Sequence, residues 1–251
     1  MSPAGARRRA HSLSLIAAIA VPLSVGAAIA ADPAEDVRPG YVNRAMGLGE
    51  VRKPERFTRE QRLLEAVRTN DRATVERALE LGVDVESRDD LGRSALLLAA
   101  RDAQDPELVA FLHAQGAEPD VADVGGRTPL SWSAARGRLD LMRVLIDAGA
   151  TIDSVDGQGR TPLFYAAIGN HPEAVRFLAE RGAAIDVSDR REETPLIGAC
   201  AKAANEAAQM LLELGADPER RDSRGRTAQD RARGLAPACA LVSAEPASVP
   251  R

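Results

Sequence analysis

The chain has 251 residues, enough for one or two domains, and a formal charge of −4. That balance excludes the basic footprint on which non-specific nucleic-acid binding depends, and it favours solubility. Aromatic residues make up only 3%, which argues against a broad globular core and for thin layers of small apolar side chains.

The chain opens with a targeting pattern. Arg7, Arg8 and Arg9 form a basic n-region, and Leu13 to Ile29 carries no charge. Ala28-Ile29-Ala30 has the small-x-small form of a cleavage site, followed by Ala31-Asp32. This is the form of a secretory signal peptide over residues 1–30, cleaved after Ala30. No Cys lies near that site, which argues against a lipoprotein. The Arg- and Ala-rich signal has a bacterial form, so the expectation is a periplasmic or secreted protein. The apolar run is near the lower limit for crossing a bilayer. A retained membrane anchor is therefore the alternative, and membrane association is expected only in that case.

Residues 31–57 hold Pro33, Pro39 and Pro54 among mixed charges and read as a flexible linker. Thr58-Arg59-Glu60-Gln61 then fits a capping box, in which the Thr oxygen and the Gln side chain satisfy each other's backbone N–H groups. Helical spacing follows at Leu63, Leu64, Ala66 and Val67. Asn70-Asp71 breaks it, and Val75, Ala78 and Leu79 form a second stripe ending at Gly82.

From here the sequence repeats. Thr128, Thr161, Thr194 and Thr227 are spaced by 33, as are Gly149, Gly182 and Gly215. The third and fourth units each have a turn with Asp and Gly, a Thr-Pro helix start, a short helix, a left-handed stop at Gly137 or Asn170, a second helix and a closing Gly; the second unit opens with Ser94-Ala95 and the fifth has Glu192 for its opening Gly. Leu130, Leu163 and Leu196 are expected in the core, with Met142, Leu145, Ile146, Val175 and Leu178 from the second helices. Ser133-Ala134 and Ala166-Ala167 let neighbouring helices approach closely. The step from Gly82 to Gly116 is 34, and the extra residue is assigned to the loop Asp102–Pro106. The first unit, with no opening turn and a polar first helix, reads as a terminal cap, and a sixth unit from Gly225 decays after Gly234. The repeats are assigned to 58–235 and a disordered tail to 236–251.

Thr-Pro-Leu-x-x-Ala-Ala, the Asn170-His171 region and the closing Gly-Ala-Asp resemble the ankyrin repeat. The resemblance implies an all-α solenoid of about six helix-turn-helix units joined by β-hairpin-like turns. It also implies a non-catalytic scaffold that binds a protein partner through turn tips and the inner helix face. The family's usual His after Thr-Pro-Leu is replaced by Ser131, Phe164 and Ile197, which points to apolar packing in its place. Some exported bacterial members are thought to support oxidative-stress enzymes such as catalase, so support of such an enzyme is one reading that the resemblance allows.

Candidate partner-binding residues are Arg93, Arg127, Arg160 and Arg226 beside the turns, Arg136 and Lys202 on first helices, and the equivalent aromatics Trp132 and Tyr165. The arginines read either as a basic stripe suited to an acidic protein surface, interrupted by Glu193, or as ordinary solvated turn residues. Trp132 and Tyr165 read either as hot-spot aromatics or as packing between units. No zinc spacing, phosphate loop or nucleophile–base pairing stands out. Neither a cofactor nor a metal is therefore expected, nor a catalytic residue or small-molecule substrate. Cys200 on the fifth unit and Cys239 beyond the sixth are the two cysteines of an expected exported chain, and a disulfide between them is a candidate staple for the carboxy-terminal cap.

Overall fold

The computed structural model describes residues 57–232. The readings made above for the signal, nearly all of the linker, Cys239 and the tail fall outside the described residues. Among the described residues eleven α-helices follow one another: α1 (Arg59–Arg68), α2 (Arg72–Glu80), α3 (Ala95–Leu98), α4 (Pro106–Ala114), α5 (Pro129–Ala134), α6 (Leu139–Asp147), α7 (Pro162–Ile168), α8 (Pro172–Glu180), α9 (Pro195–Ala201), α10 (Asn205–Glu213) and α11 (Ala228–Ala232). The all-α repeat architecture is as expected.

Local chemistry starts each first helix. Thr128, Thr161 and Thr194 each accept the backbone N–H three residues on, at 3.2–3.3 Å, with Pro in the first turn where no N–H is needed. Thr58 and Gln61 form the reciprocal capping box at 3.2 and 2.9 Å. Five equivalent residues end the first helices in the left-handed region: Asn70, Gln104, Gly137, Asn170 and Ala203, with φ between 55° and 64°. Gly137 serves a second purpose, because a Cβ there would lie 2.7 Å from His171 Nδ1.

Two layers result. The first helices α5, α7, α9 and α11 pack side by side, and the second helices α4, α6, α8 and α10 form the other row. Leu63, Leu96, Leu130, Leu163 and Leu196 line the shared core, all at most 1% exposed. Each fully buried Leu contributes about 1.5–3 kcal/mol relative to an exposed one. Of the second-helix residues expected there, Ile146 is only partly buried, whereas Leu141 is fully buried beside Met142 and Leu145. Phe164 and Ile197 are buried where the family's His would stand, so apolar packing does take its place in those two units. Phe164 fits because its neighbour is glycine: a Cβ on Gly198 would come within 2.9 Å of the ring. Ser131 remains polar and meets the Thr128 hydroxyl at 3.2 Å.

The extra residue of the second unit does not lengthen the loop. It widens the helix instead, as a π-helical turn at Ala99–Ala103 whose closing bond runs from Gln104 N to Ala99 O at 2.8 Å. Ala99 and Ala100 are fully buried, so keeping them in the packed layer and widening one turn disturbs less apolar contact than displacing the helix would.

Two ladders of hydrogen bonds stitch the units. On the turn side, backbone bonds run from Val124 N to Leu91 O (3.0 Å), Gly157 N to Gly125 O (2.8 Å), Arg190 N to Gln158 O (2.8 Å) and Ser223 N to Arg191 O (2.9 Å). Beyond the second helices, side-chain carboxylates take the next unit's backbone N–H: Glu86 from Glu118 (2.8 Å), Asp120 from Thr151 (3.0 Å), Asp153 from Ala184 (3.2 Å) and Asp186 from Asp217 (3.2 Å). The hairpin character of the turns is slight. Among the described residues one isolated bridge, Arg88 to Ser94, has strand pairing.

Candidate partner-binding surface

Every turn is built round one aspartate. Asp89, Asp123, Asp156, Asp189 and Asp222 each accept, through Oδ1, the N–H groups two and four residues ahead, at 2.7–3.1 Å. That bonding leaves Oδ2 facing the side chains predicted to bind a partner. Arg93 Nε reaches Asp89 at 2.7 Å, Arg127 Nε reaches Asp123 at 3.2 Å and Arg226 Nε reaches Asp222 at 2.9 Å. In the turn of the fifth unit the residue four ahead of Asp189 is Glu193, whose side chain cannot donate, and Arg160 crosses from the preceding unit to Asp189 at 3.2 Å.

These four arginines are therefore paired with carboxylates, buried at Asp123, Asp189 and Asp222 and half-buried at Asp89, and the turn edge is not a row of unopposed positive charge. The pairing shows in the carboxyl groups. Burial acts to raise Asp222, but the Arg226 guanidinium and the N–H groups of Arg226 and Arg224 outweigh it and bring the group down to about 2. Burial likewise acts to raise Asp89, and Arg93 together with the N–H groups of Arg93 and Leu91 holds it below the usual carboxylate range.

The aromatic column is anchored to the same aspartates. Trp132 Nε1 donates to Asp123 at 3.3 Å, and the Tyr165 hydroxyl donates to Asp156 at 2.5 Å. Burial pushes Tyr165 up to about 12, helped by the hydrogen bond and the charge of Asp156. Three guanidiniums gather on Trp132: Arg127 at 4.0 Å from the ring centroid, Arg101 at 4.9 Å and Arg136 at 5.9 Å. Arg136 is exposed, donates to the Arg101 carbonyl and has no carboxylate partner among the described residues. Lys202 caps α9, exposed and apart from this group.

The outermost points of the turns carry residues that the sequence reading passed over. Leu91 is 49% exposed and Val124 is 76% exposed, next to each other on the stitched edge. Behind them, Phe57, Leu64, Arg68, Asp89, Leu91 and Arg93 border a groove of about 490 Å³. At the other end, Arg191 and Arg224 stand two places after their Asp, as Leu91 does, while Arg190 and Ser223 stand one place after, as Val124 does, and all four are exposed. The available signal was positional: these residues stand one or two places after the invariant turn Asp of this chain, where a side chain has no neighbour to bury against.

His113 Nδ1 meets Ala117 O at 3.0 Å and His171 Nε2 meets Ala135 O at 3.1 Å, which are structural contacts. No group of three or more His, Cys, Asp or Glu is placed to hold a metal among the described residues. Among those residues no helix is long and apolar enough to cross a membrane. Cys200 is fully buried on α9. A family model described as ankyrin repeats, in three copies, matches residues 63–156 and 149–222. No curated protein matches the chain.

Proposed function

The chain belongs to the ankyrin-repeat family, and from that premise we propose that it is an exported, non-catalytic scaffold that grips a protein partner along its turn tips and first-helix face. Repeats of this family are generally protein-interaction modules and typically non-catalytic. The observation that carries the reading here is the apolar tip pair. Leu91 and Val124 are 49% and 76% exposed at the points of two adjacent turns, beside a groove. Large apolar side chains left this exposed are stabilised further by burial against a partner. The Trp132 cluster on the adjoining first helices adds an aromatic and guanidinium surface of the kind that anchors protein interfaces.

The location is part of the proposal. Arg7–Arg9, the uncharged run after them and Ala28-Ile29-Ala30 support export to the bacterial periplasm with cleavage after Ala30. Sequencing the mature amino terminus checks this. A start at Ala31 is expected, and a start at Met1 in membrane fractions favours the anchored form. Partner binding is tested by affinity capture from the periplasm, comparing the native chain with the double variant Leu91→Asp and Val124→Asp. The native chain should retain a partner that the variant loses. Capture of nothing above background by either chain sinks the scaffold reading.

A further inference from the structure

The carboxy-terminal end of the turn edge holds a polar cavity of about 260 Å³ bordered by Arg191, Arg224, Arg226 and Arg231 and by Glu193 and Asp222. Four guanidiniums thus face two carboxylates, and the carboxylates are already taken. Asp222 Oδ2 accepts Arg226 Nη2 at 2.7 Å and Nε at 2.9 Å. Glu193 is 7% exposed, with its Oε1 2.9 Å from Arg231 Nη2. Arg191 and Arg224 have no side-chain hydrogen bond and no ion pair among the described residues, and both are exposed. Arg231 Nε is buried without a hydrogen-bond partner among the described residues. A buried donor without a partner costs free energy until an acceptor arrives.

We propose that this cavity takes the carboxylates of an acidic segment of the partner protein, with Arg191 and Arg224 as its two forks and Arg231 as a further guanidinium of its wall. The inference rests on the scaffold reading and gives its partner a chemistry. The ordering inside the cavity supports carboxylate as the guest. Arg226 and Arg231 already hold Glu193 and Asp222 in an alternating row, and each unpaired guanidinium extends that row by one singly charged, planar acceptor. The backbone bond from Ser223 to Arg191 fixes the two turn backbones relative to each other, which sets the positions from which both guanidiniums reach. The excess of two positive charges also attracts such a segment from a distance, and salt screens that attraction.

The test uses the full mature chain and a fluorescent Glu-rich peptide, with a Lys-rich peptide of equal length for comparison. Saturable binding of the Glu-rich peptide only is expected, weakening as salt is raised. The double variant Arg191→Ala and Arg224→Ala should lose about tenfold in affinity, as expected for two solvent-bordered charge pairs. Neither side chain holds any other part of the fold, so the unfolding midpoint should not move. Arg77→Ala, on the distant helix α2 and paired with Glu80, should leave binding unchanged. Equal binding of the Lys-rich peptide, or undiminished binding by the double variant, overturns the proposal. So does inorganic phosphate that binds tightly while the peptide does not, because the cavity is then a phosphate site. Partner capture separates this inference from the scaffold reading. If the double variant retains the captured partner fully, the acidic-segment assignment falls and the scaffold stands. If no protein is captured by any form, the scaffold falls, while the peptide titration still reads the cavity.

Discussion

The tips of the second and third units and the tips of the fifth and sixth are made by one turn and end in opposite chemistry. In both, a buried Asp gathers the backbone N–H groups ahead of it, and a backbone bond stitches one tip to the next. At the amino-terminal end the points carry Leu91 and Val124, with Asp90 beside Leu91; at the carboxy-terminal end they carry Arg191 and Arg224, with Arg190 and Ser223 at the position of Val124. Between them stand Gly157 and Gln158, small or neutral. Because the scaffold is the same, the difference lies in the side chains alone. A partner laid along this edge in one direction meets apolar side chains first and guanidiniums last, and in the reverse direction it meets them in the wrong order. On the proposed scaffold reading, this asymmetry would set the orientation of a bound partner, which a uniform row of arginines would not do.

The largest expected effect concerns the stability of the basic end. Among the described residues, only the short α11 follows the fifth unit there. We propose that a Cys200–Cys239 disulfide closes it. Non-reducing mass analysis should show a mass about 2 Da below that of the reduced chain, and reduction should cost about 3 kcal/mol of stability. Two free thiols in protein purified from the periplasm would remove the staple. The next effect compares the scaffolds under the two ends. Gly126 has φ +81°, and a Cβ there would lie 2.7 Å from Gly157 N, inside the stitched edge. Gly126→Ala should cost about 2–3 kcal/mol in urea unfolding, from clash and left-handed strain together. Gly225 has φ +73° with nothing within 4 Å of the added atom. Gly225→Ala should cost only about 1 kcal/mol, from backbone strain alone. Equal losses would mean that the stitch between tips adds nothing to the stack.

A smaller effect follows from Asp222, whose folded value of about 2 lies below its ordinary 3.8. A lowered carboxyl adds stability that is fully present above about pH 4 and is lost as pH falls through 2. Acid unfolding followed by circular dichroism should therefore lose part of its pH dependence over that window in Asp222→Asn. An unchanged profile would mean that Asp222 does not stabilise the end unit. The smallest effect is at the apolar tips. Leu91→Ser with Val124→Ser should change stability by less than about 0.5 kcal/mol, since exposed side chains away from special geometry matter little to folding. A clear loss of stability would show that these residues serve the stack and not a partner.

Much of this is legible in the residues themselves. The 33-residue step, the Thr-Pro helix starts and the Asp-and-Gly turns are contacts within about four positions along the chain, so their chemistry is written where it acts. The capping box at Thr58 and the left-handed stops at Gly137 and Asn170 have the same origin. The 34-residue unit was harder. Insertion into a loop is the cheapest reading of a sequence, but buried Ala99 and Ala100 hold the helix in place and the extra residue is absorbed as a π turn. The site was less legible still. Arg93, Arg127, Arg160 and Arg226 look alike in sequence, yet Arg160 alone finds its carboxylate 29 residues away, and Glu193 looked like a break in a basic row before its contact with Arg231 placed it inside a cavity wall.

The sequence by itself determined the repeat, the order of helices and turns, and the family, because periodic local hydrogen bonding and apolar spacing leave one way to stack such units. Only the tertiary structure decided which charges stay unopposed and which apolar side chains stay in water. Pairing and exposure depend on neighbours a full unit away in the chain, and a guanidinium shows its partner only once the units are side by side.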